Sequence, residues 1–395
     1  MGPLAGLKVV EFAGLGPVPF CGMLLGDLGA DVLRIDKPEA GDRNVEIPTK
    51  FDLHNRSKRS VAVDIKTPAG LALVMELIDR ADILIEGFRP GVAERLGFGP
   101  ETCLERNPLL IYGRATGWGQ DGPLAQSVGH DINYIALTGA LDLIGSSDGP
   151  PIPPLNLLGD YGGGALYLAF GLMCAVFEAR QSGRGQVIDA AMIDGVTSLL
   201  TVFHAFRQAG ALAPQRGANL LDGGAPFYTC YRTKDDRYVA IGAIEDRFYL
   251  ELLRLVGLDK VDLPDRNDHR NWPDLRRRFA EIFETRTRGE WTALFEGRDA
   301  CLSPVLSLDE ATQHPHNRAR SMFETVDSLS HSRPVPRFSR TPGKIQRSAP
   351  RRGEHTHEAL KDWAVSEAAI ENALRSGALL AGIEHSRESA SEKSE

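Results

Sequence analysis

Three short stretches of this chain carry residue types that could do chemistry. "GHDINY" (129–134) sets His130 beside Asp131 just before a helical-looking run. "PLNLLGDYGGG" (154–164) places Asp160 ahead of three glycines that open a long apolar segment. "IGAIEDRFY" (241–249) puts Glu245 after a strand and near a glycine turn. Imidazole and carboxylate groups are the side chains that most often move protons near neutral pH. If His130 moves one, the rest of the chain must supply a substrate, a partner acid and a place for negative charge. Structural duties compete for the same residues. An aspartate before a helix caps free N–H groups for about 1 kcal/mol, so Asp131 or Asp160 could be caps, His130 could pack beneath a helix, and Glu245 could be a first-turn glutamate. The glycines favour more than a cap. Gly162, Gly163 and Gly164 are poor helix formers, each costing up to about 1 kcal/mol against alanine, and the expectation is that they let a ligand approach the backbone.

Positioning these groups takes a scaffold, and 395 residues suffice for two domains. A hydrophobic content of 42% and a charged content of 25% are those of a globular protein. The net charge of −8, without a basic block, argues against nucleic acid as a partner. Five scattered cysteines with no CxxC argue against a disulfide framework or a zinc site, and no metal ligand set is evident. The opening "MGPLAGLKVVEFAG" has no charged n-region and no long apolar h-region, so no secretory signal is expected. The terminal "KSE" is not a peroxisomal signal, and a cytoplasmic location is the default expectation. The longest apolar stretch, "GGGALYLAFGLMCAVF" (162–177), falls short of the ~20 residues that span a bilayer. It reads as a buried core helix, with no membrane involved.

"LKVVEFAG", "PVPFCGMLLGDLG" and "ADVLRIDKP" read as strand, helix and strand. "PAGLALVMELIDRA" (68–81) is apolar at helical spacing, and "DILIEGF" and "LLIYGRAT" continue the alternation. Such a pattern implies an α/β fold with a mostly parallel sheet. Gly14 and Gly16, with Asp36 ending the next strand, hint at a dinucleotide site. Pro17 and Pro19 count against it, because proline removes the N–H groups that would hold a pyrophosphate. The texture changes after residue 200, where "YTCYRTKDDRYVAIG" reads as a hairpin around Lys-Asp-Asp-Arg and helical stretches follow. The expected division is a large domain over 1–200, completed by 331–385, a linker at 201–224 and a small α+β domain at 225–325. The proline-rich 332–343 reads as a linker and the charged 386–395 as a disordered tail.

"GLKVVEFAG", "GDLGADVLRIDKP", "DILIEGFRPG", "YGRATGWGQDGP", "GHDINYIALTG", "NLLGDYGGGALYLAFG", "GQVIDAAMIDG" and "DGGAPFY" together resemble the class III CoA-transferase family from Leu4 to about Pro342. Within it they are most similar to the alpha-methylacyl-CoA racemase branch, to which "GHDINY" belongs. The resemblance implies a Rossmann-like large domain, a small domain, and an obligate homodimer whose two chains interlock like linked rings. It implies an acyl-CoA substrate, with coenzyme A part of the substrate and no cofactor besides. In transferases the aspartate matching Asp160 attacks the thioester; in racemases that aspartate and the histidine matching His130 flank the substrate's α-carbon. By resemblance Glu245 orients His130, and Asp131 opens a helix whose N–H groups face the thioester oxygen while its side chain does the capping. Coenzyme A is expected along Lys37, Lys66 and Arg89 and along the backbone of Val63, Asp64, Ile65 and Lys66 and of Val128, Gly129, His130, Asp131, Ile132 and Asn133. Lys37 stands where family racemases usually have arginine, so it keeps the charge and loses the bidentate fork. The expected activity is 2-methylacyl-CoA racemisation. CoA transfer through an aspartyl acyl intermediate is one alternative, and a non-catalytic acyl-CoA-binding protein is another.

Overall fold

The computed structural model describes residues 2–39 and 47–380; the expected tail at 386–395 lies outside the described residues. Among them two compact units form, one from 1–134, 156–198 and the C-terminal part from 321, the other from 135–155 and 199–320.

The first unit is built on six parallel strands: β1 (Lys8–Phe12), β2 (Asp31–Asp36), β3 (Lys58–Ala62), β4 (Ile83–Glu86), β5 (Ile111–Thr116) and β6 (Gln186–Ala191). Their order is β3-β2-β1-β4-β5-β6, with Val10 opposite Leu33 on one side and Leu84 on the other. The fold is therefore α/β, as the alternation implies. Because strand side chains alternate between faces, the sheet makes two cores. Val10, Leu33, Leu84 and Tyr112 pack with helix Pro68–Ile78 and with Leu360 and Trp363 near the chain's C-terminal end. Val9, Val32, Ile83 and Ile111 pack with helix Pro17–Asp27 and with Leu168 and Leu172. At roughly 25 cal/mol per Å² of apolar area removed from water, these faces are the main reason the strands hold register.

Strand β3 is buried at every position although it begins Lys58-Arg59. Each charge has a partner. Lys58 Nζ meets Glu11 Oε1 at 2.8 Å with both side chains fully enclosed, and it also donates to the Pro19 carbonyl and to Asn55 Oδ1. Arg59 pairs with Asp31 and Asp362, each at 2.7 Å. Burial pushes the Glu11 carboxyl up and the Lys58 ammonium down, and their mutual attraction opposes both shifts.

A continuous helix runs from Leu157 to Ser182, 26 residues long and apolar enough by length and composition to cross a membrane. The helix is longer than the apolar stretch 162–177 because it starts before the glycines, and one face of it packs into the core as expected. Leu168, Leu172 and Ala175 are buried against the sheet, whereas Leu166, Phe170 and Phe177 are 52%, 71% and 68% exposed.

The second unit carries the antiparallel strands β7 (Tyr228–Arg232), β8 (Tyr238–Gly242) and β9 (Leu302–Pro304), ordered as named. The hairpin turns at Lys234–Arg237, where Asp236 takes φ 54°. Helices Asp246–Val256, Trp272–Phe283 and Arg288–Phe295 cover the sheet around Phe279, Phe283 and Trp291. Residues 135–155, expected with the large domain, group here. Arg216 ties them down by donating to the Asp142, Ser146 and Gly149 carbonyls at 2.9, 3.2 and 2.8 Å. The expected linker at 201–224 contains helix Thr201–Gln208. A further hairpin, β10 (Phe323–Val326) with β11 (Leu329–Ser332), belongs to the first unit.

Candidate active site

Strand order reverses between β1 and β4, and open parallel sheets bind ligands in the crevice beyond the strand ends at such a point. A cavity of about 470 Å³ opens there, lined by Leu15 to Val18 after β1, Gly87 to Pro90 after β4, Ala115 to Trp118 around the end of β5, and by Ser127 to His130, Tyr134, Asp160 and Met192. His130, Asp160, Arg89, Val128 and Gly129 therefore share one concavity.

Asp160 is not a helix cap. The helix is capped at Asn156 without a side-chain bond, and Asp160 lies within wide, π-helical turns spanning Leu157–Ala165, an arrangement frequent at functional sites. Asn156 Nδ2 donates to Asp160 Oδ2 at 3.0 Å, and Asp160's own N–H donates to Asp131 Oδ2 at 2.7 Å. Burial raises the Asp160 carboxyl above the ordinary carboxylate range; the Asn156 hydrogen bond lowers it, the Asp131 charge raises it, and nearby His130 lowers it. A carboxyl raised in this way is a better proton acceptor and donor near neutral pH. Gly16 explains how it fits. At φ 65°, a Cβ on Gly16 would come within 3.0 Å of Asp160 Oδ2, so this glycine makes room for a carboxylate.

Gly163 and Gly164 have a different duty from the one expected. A Cβ on Gly163 would lie 2.6 Å from Val196 Cγ2 and 3.0 Å from the Met192 carbonyl, and one on Gly164 would lie 3.0 Å from Met192 Cγ. The two residues admit helix Met192–Leu199, not a ligand. Helix Asp131–Leu137 begins at Asp131, as read from the sequence. The Asp131 side chain, however, does no capping of its own helix; it is buried and holds the Asp160 N–H, with Oδ1 unpartnered. Its helix start is closed instead by Asn133 Oδ1, which accepts from the His130 N–H at 3.0 Å. His130 is exposed. Its loop is fixed from below by Tyr134, whose hydroxyl donates to the Gly129 carbonyl and whose ring stands edge-on to Trp118 at 4.8 Å.

Arg89 is exposed at the cavity and held by its loop: Glu86 Oε2 accepts the Phe88 N–H at 2.6 Å. Glu86 Oε1 accepts from Arg114 Nε at 2.9 Å. Burial raises the Glu86 carboxyl to about 7 against the lowering effects of Phe88 and Arg114. Lys37 and Lys66 are exposed just beyond the ends of β2 and β3, on the same sheet edge but outside the cavity lining. Val63 and Asp64 are tied to Leu379 and Ala378, and Ile65 is buried. Ile132 and Asn133 are exposed next to the lining without joining it.

A family model described as CoA-transferase family III matches residues 4–356. The chain belongs to this family. It is 45% identical over 369 residues to alpha-methylacyl-CoA racemase of Mus musculus, covering 93% of this chain and 95% of that one. It is 42% identical to the Homo sapiens protein of the same name, with the same coverage. A succinyl-CoA:glutarate CoA-transferase of Mus musculus is 30% identical, over 96% of this chain and 91% of the relative. Among solved structures, a CAIB/BAIF family protein from Brucella suis superposes with a TM-score of 0.80 at 27% identity, covering 92% of this chain and 99% of that one.

Two parts of this family III site escape a reading for catalytic residue types. Asn156 sits four residues before Asp160, one helical turn away, but an amide gives no acid–base signal. Glu86 ends an apolar strand and is noticed only once its partners are seen. In the second unit, Glu245 is the N-cap of helix Asp246–Val256, is exposed and makes no capping hydrogen bond; burial and the Glu245 charge both raise the nearby Cys301 thiol. Among the described residues, no group of three or more His, Cys, Asp or Glu is arranged to hold a metal ion.

Proposed function

We propose that this protein racemises 2-methylacyl-CoA thioesters by moving the α-proton off one face and back onto the other. The observation that carries the reading is the sharing of one cavity by His130 and a half-buried Asp160 whose carboxyl is raised and held by Asn156. Inversion by deprotonation needs an acid–base group on each face: one removes the proton, the other returns one, and the roles exchange for the opposite enantiomer. Charge that builds on the thioester oxygen needs a fixed donor, typically worth about 10²–10³ in rate. The Asn133 N–H at the start of helix Asp131–Leu137 is taken by the His130 carbonyl at 2.8 Å, which leaves the N–H groups of Asp131 and Ile132, with no acceptor in the helix, suited to that duty. Arg89, Lys66 and Lys37 on the sheet's C-terminal edge suit the phosphates of coenzyme A, which enters as part of the substrate, and no further cofactor is required. Glu245 orients His130, and the working form is a homodimer.

The decisive experiment incubates a pure (2R)- or (2S)-2-methylacyl-CoA with the enzyme in D₂O and no acceptor acid. The expected result is loss of stereochemical purity with deuterium entering at C2. CoA transfer to an added carboxylate without exchange at C2 would overturn the reading in favour of a transferase. Binding with neither reaction would leave only an acyl-CoA-binding protein.

A further inference from the structure

A buried cation beside the cavity has no part in the proposed chemistry. Arg114 stands on β5 with its side chain 8% exposed, and it binds carboxylates from two other elements. Its Nε donates to Glu86 Oε1 at 2.9 Å, and Nη1 and Nη2 donate to Glu94 Oε1 and Oε2 at 2.9 and 3.4 Å. Glu86 ends β4, and Glu94 lies in the short helix Val92–Arg95. Arg114 therefore grips the chain on both sides of the segment 87–91, a task that suits a planar fork and not a point charge.

Within that segment the backbone is held at three successive residues. The Phe88 N–H goes to Glu86 Oε2 at 2.6 Å, the Arg89 carbonyl accepts from the Val92 N–H at 3.1 Å, and the Pro90 carbonyl accepts from Gln126 Nε2 at 3.1 Å. The Phe88 ring stands edge-on to Phe12 and Phe98 at 5.7 and 5.9 Å, which seats it in the sheet core. Pro90 is buried, and Arg89 between these anchors is exposed and lines the cavity. The Arg89 charge reaches the cavity's own side chains: burial and Asp160 raise the Tyr134 hydroxyl, and Arg89 lowers it. Arg114 meanwhile engages both carboxylates that flank the loop, so Arg89 keeps its charge for a ligand.

We infer that Arg114 is a positioning residue for Arg89, holding the wall segment 87–91 through Glu86 and Glu94 so that the Arg89 guanidinium meets a phosphate of the coenzyme A moiety. The inference rests on the proposed reading, in which coenzyme A enters as part of the substrate and Arg89 takes one of its phosphates. Arg114 is not part of the cavity lining, so it acts through the loop alone.

The test uses coenzyme A itself as the probe, with binding to the full chain measured by calorimetry at one pH and ionic strength; this readout needs no racemisation. Arg89→Gln should weaken binding roughly 10- to 100-fold, the worth of a hydrogen bond to a charged group. Arg114→Lys keeps the cation and loses the fork, and should weaken binding about fivefold or more alone and under about twofold further in the Arg89→Gln background. Glu94→Ala, at the exposed end of the network, is the second variant and is chosen to fold. Removing an acid near an anion site tightens binding if charge alone matters, whereas freeing one arm of Arg114 loosens it; the expected result is loosening. In C2 exchange from D₂O, Arg114→Lys should raise KM for a 2-methylacyl-CoA and change kcat/KM for the phosphate-free pantetheine thioester under about twofold. Equal losses on both thioesters, a full additional loss in the Arg89→Gln background, or tighter binding by Glu94→Ala would overturn the inference and leave the racemase reading standing. If Arg89→Gln binds coenzyme A as wild type does, Arg89 meets no phosphate and the inference falls. A wild type that binds coenzyme A and exchanges no C2 proton ends the racemase reading alone, and the binding comparisons still decide for Arg114.

Discussion

At the scale of single residues, the site is two proton-moving groups with unequal support. Asp160 is held by Asn156 and Asp131 in its own unit, while His130 is exposed on a loop. If they face opposite sides of the α-carbon, His130→Ala and Asp160→Ala should each lower full racemisation by about a thousandfold or more, since the pair acts as a unit. Residual C2 exchange should then favour opposite enantiomers, measured as deuteration of each pure enantiomer. Wild-type racemisation by His130→Ala would make that histidine structural. Asn156 gives a second, independent check. Its hydrogen bond favours the ionised Asp160 carboxylate, so Asn156→Ala should raise that carboxyl further. Where Asp160 acts as the base, activity requires the ionised form, and the acid limb of the kcat/KM profile should move to higher pH. A limb that stays put or moves down would remove Asn156 from the proton chemistry.

At the scale of elements, much of the scaffold was legible and the rest failed for identifiable reasons. The strands "VVEF", "DVLRID", "ILIE" and "IYGRAT" are buried runs rich in apolar residues and bounded by turn residues, and each is found near its expected place. Strand β3 was not expected, because Lys58 and Arg59 disguise a buried strand whose charges are neutralised by Glu11, Asp31 and Asp362, residues distant in sequence. At Gly163 and Gly164 the close approach is made by helix Met192–Leu199, and spacing alone does not say what approaches. Glu86 at the end of β4 shows how an element end couples to the cavity. Its carboxyl stands at about 7 against an ordinary 4.5. An acid raised on folding binds more protons in the folded state, so its stabilising contribution is complete below the unfolded value and is lost as pH rises through the folded one. At about 1.4 kcal/mol per unit, wild type should lose on the order of 2 kcal/mol relative to Glu86→Gln between pH 5 and pH 8. Urea unfolding of both proteins at one protein concentration measures this. A difference independent of pH would mean that Glu86 is ionised throughout.

At the scale of the whole molecule, the first unit presents an apolar face that a single chain does not cover. Leu166, Phe170 and Phe177 project from helix Leu157–Ser182, and the neighbouring edge strand β6 exposes Val187 at 41%. Large contiguous exposed apolar surface marks an interaction site. The helix is long enough for a bilayer, but its opposite face packs Leu168 and Leu172 into the sheet core, and the same helix carries Asp160 into the cavity. A second copy of the chain is the expected occupant of this face, because it could also cover the polar edge of β6, which hydrocarbon cannot satisfy. The protein should sediment as a homodimer at low micromolar concentration. Phe170→Asp combined with Phe177→Asp should lower the dimer fraction and racemase activity together, because charged groups placed in a buried interface go unpaired. Analytical ultracentrifugation alongside the D₂O assay decides the matter: a folded wild-type monomer with full activity would show that one chain builds a complete site alone.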